Sequence, residues 1–254
     1  MPLISVNIIT HNRAKYISDA ISSVLKQKFQ DFELIVVDDA SSDNTSNVIA
    51  PFLSDQRVKY FLLPKQKNIA AVRNFALEQS SGKYIAILDS DDLWCDDFKL
   101  SKQYDFLENN RSIVLVGTGA IIIDSLGEEK RKTSKPTTDS DIKKNFLLKN
   151  PFFHSSVLYR KEIIMSLGGY GENLKYCDDF DLWLRLNEKE KFYNFPDFCI
   201  KYREHDDNES AKNFWRAVKE VLLTIGKYRK NTNTSVLIFI KKIFDKLSIL
   251  VKKN

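Results

Sequence analysis

Glycine and cysteine are both scarce in this sequence, and each shortage excludes a class of binding site. The chain of 254 residues has eight glycines, and the first of them, Gly82, comes far beyond the first apolar segment. Neither G-x-G-x-x-G nor G-x-x-x-x-G-K can therefore follow a first strand, which excludes Rossmann dinucleotide binding and P-loop chemistry. The three cysteines, Cys95, Cys177 and Cys199, form no C-x-x-C pair. We expect no zinc knuckle, no disulfide framework and a reducing compartment.

Long apolar runs are also missing. No stretch approaches the roughly 18 apolar residues of a membrane-spanning helix. The N-terminal "MPLISVNIIT" lacks a basic leader followed by a cleavable apolar segment. We therefore expect a cytoplasmic protein that is neither secreted nor membrane-spanning by its own signals. The apolar content of 43% is enough, at this length, to build a buried core.

Positive charge is concentrated at one end of the chain. Residues 211–254 contain 11 Lys and Arg against 2 acidic residues, while the formal net charge of the whole chain is only +5. The rest of the chain is therefore acidic. Because a nucleic-acid-binding domain needs a basic surface on its folded body, we expect no nucleic-acid partner.

Short β-rich segments alternate with helical periodicity in the first half of the chain. Apolar and β-branched runs predict strands at residues 3–9, 33–37, 58–63, 84–88 and 113–123. Apolar residues three and four positions apart predict helices at 17–25 and 69–79. Such alternation is typical of βαβ crossovers, so we predict an α/β fold with a mainly parallel sheet covered by helices on both sides.

Polar residues follow three of the predicted strands, at 10–13, 38–41 and 89–92. Ligands of parallel sheets bind beyond the carboxyl ends of the strands, so we expect these segments to meet at one functional edge. Without a glycine-rich loop, the charge of a diphosphate can be neutralised by a divalent cation held on carboxylates. The acidic cluster at 89–92 supplies the oxygen ligands that suit Mg²⁺ or Mn²⁺. Its carboxylates repel one another until such a cation and its phosphates lie between them.

Two structural alternatives apply to this acidic cluster. Asp91 and Asp92 could cap a helix that begins near Leu93, and this alternative stays open. An EF-hand calcium loop that starts at the first carboxylate would need glycine at its sixth position and glutamate at its twelfth. Because these positions are Trp94 and Leu100, that loop is excluded.

Four segments together resemble one enzyme family. They are "ISVNIITHNRAKYISDAISSVLKQKFQDFELIVVDDASSDNT", "NIAAVRNFAL", "GKYIAILDSDD" and "CDDFDLWLRL". Their order and spacing, over about residues 3–210, are typical of family 2 glycosyltransferases. The resemblance implies the GT-A fold and an inverting, nucleotide-sugar-dependent transferase. It also implies a transferase domain at residues 1–230, with a nucleotide-binding half at about 1–125 and an acceptor half at about 126–230.

The resemblance further implies how the donor is held. Asp39 would accept the imide hydrogen of the base, which favours uracil, and Arg73 would lie near the diphosphate, although an exposed helix arginine stays open as its alternative. Asp89 would lie near the ribose, Asp91 would coordinate the metal, and Asp92 would assist or only cap. The other candidate donor-binding residues are Thr10, His11, Asn12, Arg13 and Ser90, and the other candidate metal ligands are Asp89 and His205.

A catalytic acidic pair is implied at Asp178 and Asp179. Inverting transfer needs a carboxylate that takes the proton of the acceptor hydroxyl as this oxygen attacks the anomeric carbon, and Asp179 is the candidate base. The alternative is that both acids only begin an amphipathic helix, whose dipole favours negative charge there. His154 is expected either to line the acceptor site or to make an orienting hydrogen bond in the core.

The implied function is transfer of one sugar from a UDP-sugar to a hydroxyl of a glycan or lipid-linked acceptor, with Mg²⁺ or Mn²⁺, in surface polysaccharide or glycoconjugate synthesis. Two alternatives stay open. One is a sugar nucleotidyltransferase, although "THNRAKY" lacks the glycines that such an enzyme would normally need. The other is a catalytically inactive module that binds nucleotide sugars or glycans.

The end of the chain predicts a basic amphipathic helix at residues 231–254. In "SVLIFIKKIFDKLSILVKK" the apolar residues share one helical face and the lysines lie largely on the other. Lysines interrupt the apolar run too soon for a membrane span, yet the basic flanks suit the anionic inner face of the plasma membrane. Packing on the domain, or on a second subunit of a homo-oligomer, stays open as the alternative.

Overall fold

The computed structural model describes residues 1–146, 149–205 and 213–228, and over these residues the chain forms one nine-stranded sheet with helices on both faces. The strands are β1 (Ile4–Thr10), β2 (Phe32–Asp38), β3 (Val58–Leu62), β4 (Tyr84–Ile87), β5 (Leu93–Trp94), β6 (Ile113–Ile123), β7 (Glu129–Thr133), β8 (Leu158–Arg160) and β9 (Lys191–Arg203). The helices are α1 (Ile17–Leu25), α2 (Thr45–Ile49), α3 (Ile69–Gln79), α4 (Lys99–Asn109), α5 (Asp139–Asn145), α6 (Lys161–Ser166), α7 (Asp178–Leu186) and α8 (Phe214–Tyr228). Short 3-10 helices lie at Ala50–Ser54 and His154–Ser156.

The predicted α/β fold is confirmed. The five predicted strands correspond to β1, β2, β3, β4 and β6, and the two predicted helices correspond to α1 and α3. The acidic segment before residue 182 also begins a helix, α7, whose first turn carries three aspartates and whose Leu182, Trp183 and Leu186 are buried.

The sheet has a parallel half and a mixed half. Its strand order is β3-β2-β1-β4-β8-β6-β9-β5, and β7 pairs with residues 120–123 of β6, beyond the stretch of β6 that pairs with β8. β1 pairs in parallel with both β2 and β4, so the carboxyl ends of these strands lie at one edge. β8 is antiparallel to β4 and β6, while β9 runs parallel to β6 over most of its length. The second half of the chain therefore continues the same sheet and borders the same edge.

Both faces of the parallel half are buried, because alternate residues of β2 enter different cores. Leu34 and Val36 pack with α1 on one face, while Ile35 and Val37 pack with α3 on the other. A strand covered on both faces is typically a continuous apolar run, and "LIVV" at residues 34–37 is such a run. The third cluster lies under the second half of the sheet and is centred on Trp183, which is fully buried.

The prediction that a helix begins near Leu93 is wrong. Residues 93–94 instead form β5, an antiparallel partner of β9 in which Trp94 lies opposite Ile200, and α4 begins only at Lys99. The indole of Trp94 is buried and its Nε1 donates to the carbonyl of Ser155 at 2.9 Å. Strand pairing and burial of the indole override the local signal for a helix start. The carboxylates before it are therefore not helix caps.

The first residue of α4 is a buried lysine. Lys99 is fully buried; its Nζ donates to Gln103 Oε1 at 2.7 Å and lies 4.1 Å from the centroid of the Trp94 ring. Burial lowers the pKa of Lys99 to about 7. The ammonium is thus held by one amide and one aromatic face, without a carboxylate partner within salt-bridge distance among the described residues.

Helix α8 closes the described part of the chain and packs against α7. Its Glu220 accepts the backbone N–H groups of Lys175 and Tyr176, which lie just before α7, at 2.8 and 2.5 Å. No helix among the described residues is long and apolar enough to cross a membrane. The predicted amphipathic helix at 231–254 falls outside the described residues.

Candidate active site

A cleft of about 930 Å³ opens at the carboxyl ends of the parallel strands. The three polar segments expected to meet at this edge do meet there, and residues from the second half of the chain form the opposite wall. The first half contributes Thr10, His11, Arg13, Asp39, Arg73, Asp89, Asp91 and Asp92. The second half contributes, among others, Lys135, Asn150, Phe153, His154, Tyr176, Asp178, Asp179 and Tyr202.

The loop after β1 is fixed by Asn12, which does not line the cleft. Its backbone is left-handed, with φ of 51°, a conformation that asparagine tolerates better than most residues. Its Oδ1 accepts the backbone N–H groups of Ser42 and Asp43 at 2.8 and 3.2 Å. Asn12, predicted as a donor-binding residue, thus ties the loop after β1 to the loop after β2.

Two polar groups in the deep part of the cleft remain available to a ligand. Asp39 Oδ1 accepts the backbone N–H of Lys67 at 2.8 Å, and burial raises the pKa of Asp39. The hydroxyl of Thr10 is buried and has no hydrogen-bond partner among the described residues. Buried hydroxyls are normally paired, so an unpaired one beside a cleft marks a place where a ligand atom can bind.

Asp89 is held by a guanidinium and an imidazole. Its Oδ1 lies 3.5 Å from Arg73 Nη2 and 3.3 Å from His154 Nδ1. Burial alone would raise the pKa of Asp89, but His154 and Arg73 hold it well below its ordinary value. The carboxylate is therefore ionised and fixed in direction, with its charge already compensated by the protein.

Asp91 and Asp92 have different surroundings. Asp91 Oδ2 lies 3.0 Å from His205 Nε2 and 3.4 Å from Arg13 Nε. Asp92 is buried and accepts hydrogen bonds from the Ser155 hydroxyl at 2.5 Å and from the backbone N–H of Arg203 at 2.8 Å. Burial, and then the neighbouring carboxylates, raise the pKa of Asp92 well above its ordinary value. Asp92 is thus a support inside the protein, and Asp91 is the carboxylate with partners at the cleft.

A divalent cation fits this site only if the protein and the phosphates of a substrate coordinate it together. Asp91 and His205 provide one carboxylate and one imidazole side by side, whereas Asp89 is already paired with Arg73 and His154. Among the residues that the structure describes, no group of three or more His, Cys, Asp or Glu side chains could hold a metal ion on its own. Mg²⁺ is commonly held by one or two carboxylates together with substrate phosphates. The donor set fits a cation that binds together with a nucleotide diphosphate.

Arg73 is buried, so its alternative as an exposed helix arginine is wrong. Its Nη1 lies 3.0 Å from Asp178 Oδ2 and 3.2 Å from His154 Nε2. Burial would lower the pKa of the guanidinium, but Asp178 and Asp89 raise it. Arg73 therefore connects the acidic loop after β4 with the acidic start of α7.

The two aspartates at the start of α7 differ in how deeply they are buried. Asp178 is only 4% exposed; burial raises its pKa, while Arg73 opposes that rise. Asp179 is half-buried and lines the cleft. Its Oδ1 accepts the backbone N–H of Phe180 at 2.6 Å and its Oδ2 accepts an N–H of Asn150 at 2.6 Å.

The model for the family described as Glycosyl transferase family 2 matches residues 5–168. The chain belongs to this family. Its resemblance to family 2 glycosyltransferases, drawn from the four sequence segments, is therefore confirmed, and the chain is a glycosyltransferase.

Two relatives match this glycosyltransferase over most of their length. "Putative glycosyltransferase EpsE" of Bacillus subtilis (strain 168) is 30% identical over 234 residues, which cover 90% of this chain and 83% of the relative. "UDP-Glc:alpha-D-GlcNAc-diphosphoundecaprenol beta-1,3-glucosyltransferase WfgD" of Escherichia coli is 31% identical over 231 residues, which cover 90% of this chain and 87% of the relative.

Solved structures confirm the fold of the glycosyltransferase. The crystal structure of S. aureus TarS 1-349 in complex with UDP-GlcNAc has a TM-score of 0.71 at 20% identity and covers 93% of this chain and 69% of TarS 1-349. The mannosyltransferase PcManGT from Pyrobaculum calidifontis, in complex with GDP-Man and Mn²⁺, has a TM-score of 0.69 at 17% identity and covers 92% of this chain and 66% of PcManGT.

Several residues that shape this site carry no signal in the sequence. Ser155 accepts the backbone N–H of Asp89 and donates to Asp92, but it is one of two adjacent serines in "FFHSSVLYR". Asn150 lies before a proline in "KNPFF", which reads as a turn. Ser90, predicted to bind the donor, is buried and is not among the residues that line the cleft.

Proposed function

We propose that this glycosyltransferase transfers one sugar from a UDP-sugar to a hydroxyl of a glycan or lipid-linked acceptor, with inversion at the anomeric carbon. The name of WfgD gives a UDP-glucose donor and a diphosphoundecaprenol-linked acceptor, and TarS was solved with UDP-GlcNAc. These relatives support a role in the synthesis of a surface polysaccharide or glycoconjugate.

The deep part of the cleft suits uridine. One oxygen of Asp39 is occupied by the Lys67 N–H, which leaves the other to accept the imide N–H of uracil. Cytosine has no hydrogen on that ring nitrogen, so a carboxylate there disfavours it. Thr10, whose buried hydroxyl has no partner among the described residues, adds a hydrogen-bonding group to the same wall.

Asp91 and His205 would hold Mg²⁺ or Mn²⁺, which when bound would neutralise the charge that develops on the departing diphosphate. Arg13, 3.4 Å from Asp91, adds a fixed positive charge at the same place. Arg73 is occupied by Asp178, Asp89 and His154, so we assign it to the alignment of these groups in place of direct diphosphate binding.

Asp179 acts as the general base. As the acceptor oxygen attacks the anomeric carbon, its proton passes to the Asp179 carboxylate, and the bond from that carbon to the diphosphate oxygen breaks on the opposite side. The observation that carries this assignment is the contrast between neighbours that both line the cleft: Asp178 is buried against Arg73, whereas Asp179 is half-buried and its side-chain partner is the neutral amide of Asn150. With 4% of its surface exposed, Asp178 presents little of its carboxylate to an acceptor hydroxyl.

The proposal is tested with Asp179→Asn. We expect the affinity for UDP to stay within a few fold, while turnover with a responsive UDP-sugar and acceptor falls by roughly 10²-fold or more, the usual scale for a lost general base. Asp197→Asn is the matched control, because Asp197 is an exposed carboxylate of β9 that does not line the cleft. Normal turnover of Asp179→Asn would remove it as the base.

Product analysis separates the alternatives. A glycosyltransferase releases UDP from UDP-sugars when an acceptor is supplied. A sugar nucleotidyltransferase instead releases diphosphate from UTP and a sugar 1-phosphate, and an inactive binding module releases neither. We therefore expect UDP release with at least one member of a UDP-sugar panel, and diphosphate release without UDP release would overturn the proposal.

We also propose that the enzyme works at the inner face of the plasma membrane, where a lipid-linked acceptor lies. The support is the basic amphipathic pattern at residues 231–254 and the lipid-linked acceptor in the name of WfgD.

A further inference from the structure

The carboxylate of Asp179 is oriented from both sides. Its Oδ1 accepts the N–H of Phe180, in the first turn of its own helix, and its Oδ2 accepts the side-chain N–H of Asn150 at 2.6 Å. The first contact is local and leaves rotation about the Cβ–Cγ bond only loosely restricted. The contact from Asn150 comes from a different segment and fixes the plane of the carboxylate relative to the cleft.

Asn150 is itself fixed, and its environment decides which way its amide points. Its Oδ1 accepts the backbone N–H of Phe152 at 3.2 Å, so its NH₂ group is directed at Asp179. The reverse orientation would place the amide oxygen against a carboxylate oxygen and the NH₂ group against an N–H donor. Both of these contacts are repulsive, so a single orientation is stable.

Lys135, which lines the cleft, holds the backbone of Asn150 in place. Its Nζ donates to the backbone carbonyl of Asn150 at 2.8 Å, and its ammonium lies 4.3 Å from the centroid of the Phe153 ring. Lys135, Asn150 and Asp179 all line the cleft. The three residues come from separate segments of the acceptor half, so their contacts set where the carboxylate stands.

A neutral amide suits a general base better than a cation does. An adjacent positive charge favours the ionised carboxylate and so weakens it as a proton acceptor, whereas an amide N–H supplies direction with only a partial charge. Asp178, beside Arg73 at 3.0 Å, has the cationic partner. Asp179 has the amide partner and keeps a lone pair on each oxygen for the acceptor hydroxyl.

We propose that Asn150, braced by Lys135, is the positioning residue for the general base of this enzyme. This inference rests on the proposed role of Asp179. Asn150 acts through Asp179 and not on the donor, so its loss lowers turnover while leaving the donor site intact. Small displacements of a reacting group cost up to about 10²-fold in rate, and we expect a loss of tenfold or more for Asn150→Ala.

The test is a double-mutant cycle measured by UDP release, with an acceptor and a UDP-sugar identified by screening. Asn150→Ala should lower kcat by tenfold or more and leave KM for the UDP-sugar and Kd for UDP within about twofold. In the Asp179→Asn background the same substitution should have almost no further effect, because the group that it positions no longer accepts a proton. Asn109→Ala, an exposed asparagine of α4 outside the cleft, is the matched control.

Each result decides the question. An equal tenfold loss from Asn150→Ala in both backgrounds means that Asn150 acts independently of Asp179, and a wild-type kcat in Asn150→Ala means that it has no such role; either overturns the inference while the base assignment stands. Full activity of Asp179→Asn alone overturns the base assignment itself. If Asn150→Ala does not fold by circular dichroism, Lys135→Met replaces it, with a smaller loss of kcat that must likewise vanish in the Asp179→Asn background.

Discussion

Replacing the buried lysine of α4 should stabilise the protein, and by an amount that depends on pH. Burial lowers the pKa of Lys99 from 10.5 to about 7, and such a difference corresponds to about 5 kcal/mol of unfavourable free energy for the charged form. In Lys99→Met the side chain keeps a similar length without the charge. It also leaves Gln103 Oε1 without its donor, which costs about 1–3 kcal/mol. The net gain in the free energy of unfolding at pH 7 is then about 2–4 kcal/mol.

The pH dependence follows from the direction of the shift. Below about pH 7 Lys99 is protonated in both the folded and unfolded chain, so the full cost of burying the charge is present. Between about pH 7 and 10.5 the unfolded chain binds a proton that the folded chain does not, so the stability of the wild type rises with pH. Between pH 7 and pH 9 the cost falls by about 2 kcal/mol, and the advantage of Lys99→Met should shrink by the same amount.

Urea unfolding followed by far-UV circular dichroism at pH 7 and pH 9 measures both quantities. Other groups that titrate in this range contribute equally to both proteins and cancel in the difference. The matched control is Lys144→Met, because the side chain of Lys144 is 70% exposed. An advantage of Lys99→Met that is the same at pH 7 and pH 9 would refute the reasoning, since it would mean that the folded protein does not suppress the charge.

Three further predictions concern the metal, the end of the chain and one turn. Asp91→Asn should abolish transfer, and EDTA should do so in the wild type until Mg²⁺ or Mn²⁺ is restored; full activity in EDTA would contradict the proposed metal. Deleting residues 231–254 should leave UDP binding intact but release the protein from anionic vesicles in a low-salt sedimentation assay, whereas unfolding on deletion would assign that segment to the core. Gly169→Ala should lower the free energy of unfolding by about 1–3 kcal/mol in urea titration, because Gly169 has φ of +71° and an added Cβ would lie 2.4 Å from Asn74 Oδ1.

Regular, strongly patterned segments were predictable from the sequence. Each face of β2 is buried by a different helix, which explains why "LIVV" at residues 34–37 is a continuous apolar run. The segments at 10–13, 38–41 and 89–92 meet because they follow the carboxyl ends of parallel strands. β5 was not predictable in this way. It is two residues long and exists because Trp94 pairs with Ile200, more than a hundred positions away, which no local pattern reports.

The different surroundings of the individual carboxylates were only partly predictable. The spacing of the acids and the family resemblance pointed to the loop after β4 and to the start of α7, and both of these line the cleft. They could not show that Asp92 is turned inward to Ser155 and Arg203, or that Arg73 pairs with Asp178, because burial and partners are set by tertiary packing. Asn150 has no sequence signal at all, since a single asparagine before a proline predicts only a turn.

The pairing of β5 with β9 has a consequence for how the protein is made. The loop that carries Asp89, Asp91 and Asp92 is held in place by the backbone of Arg203, and 111 positions separate Asp92 from Arg203. At the usual ribosomal rate of about 5–20 residues per second, roughly 6 to 20 s pass between the synthesis of these two partners. Throughout that interval the emerging chain lacks the strand that fixes its acidic loop. The acidic loop can therefore reach its folded position only after synthesis has passed Arg203.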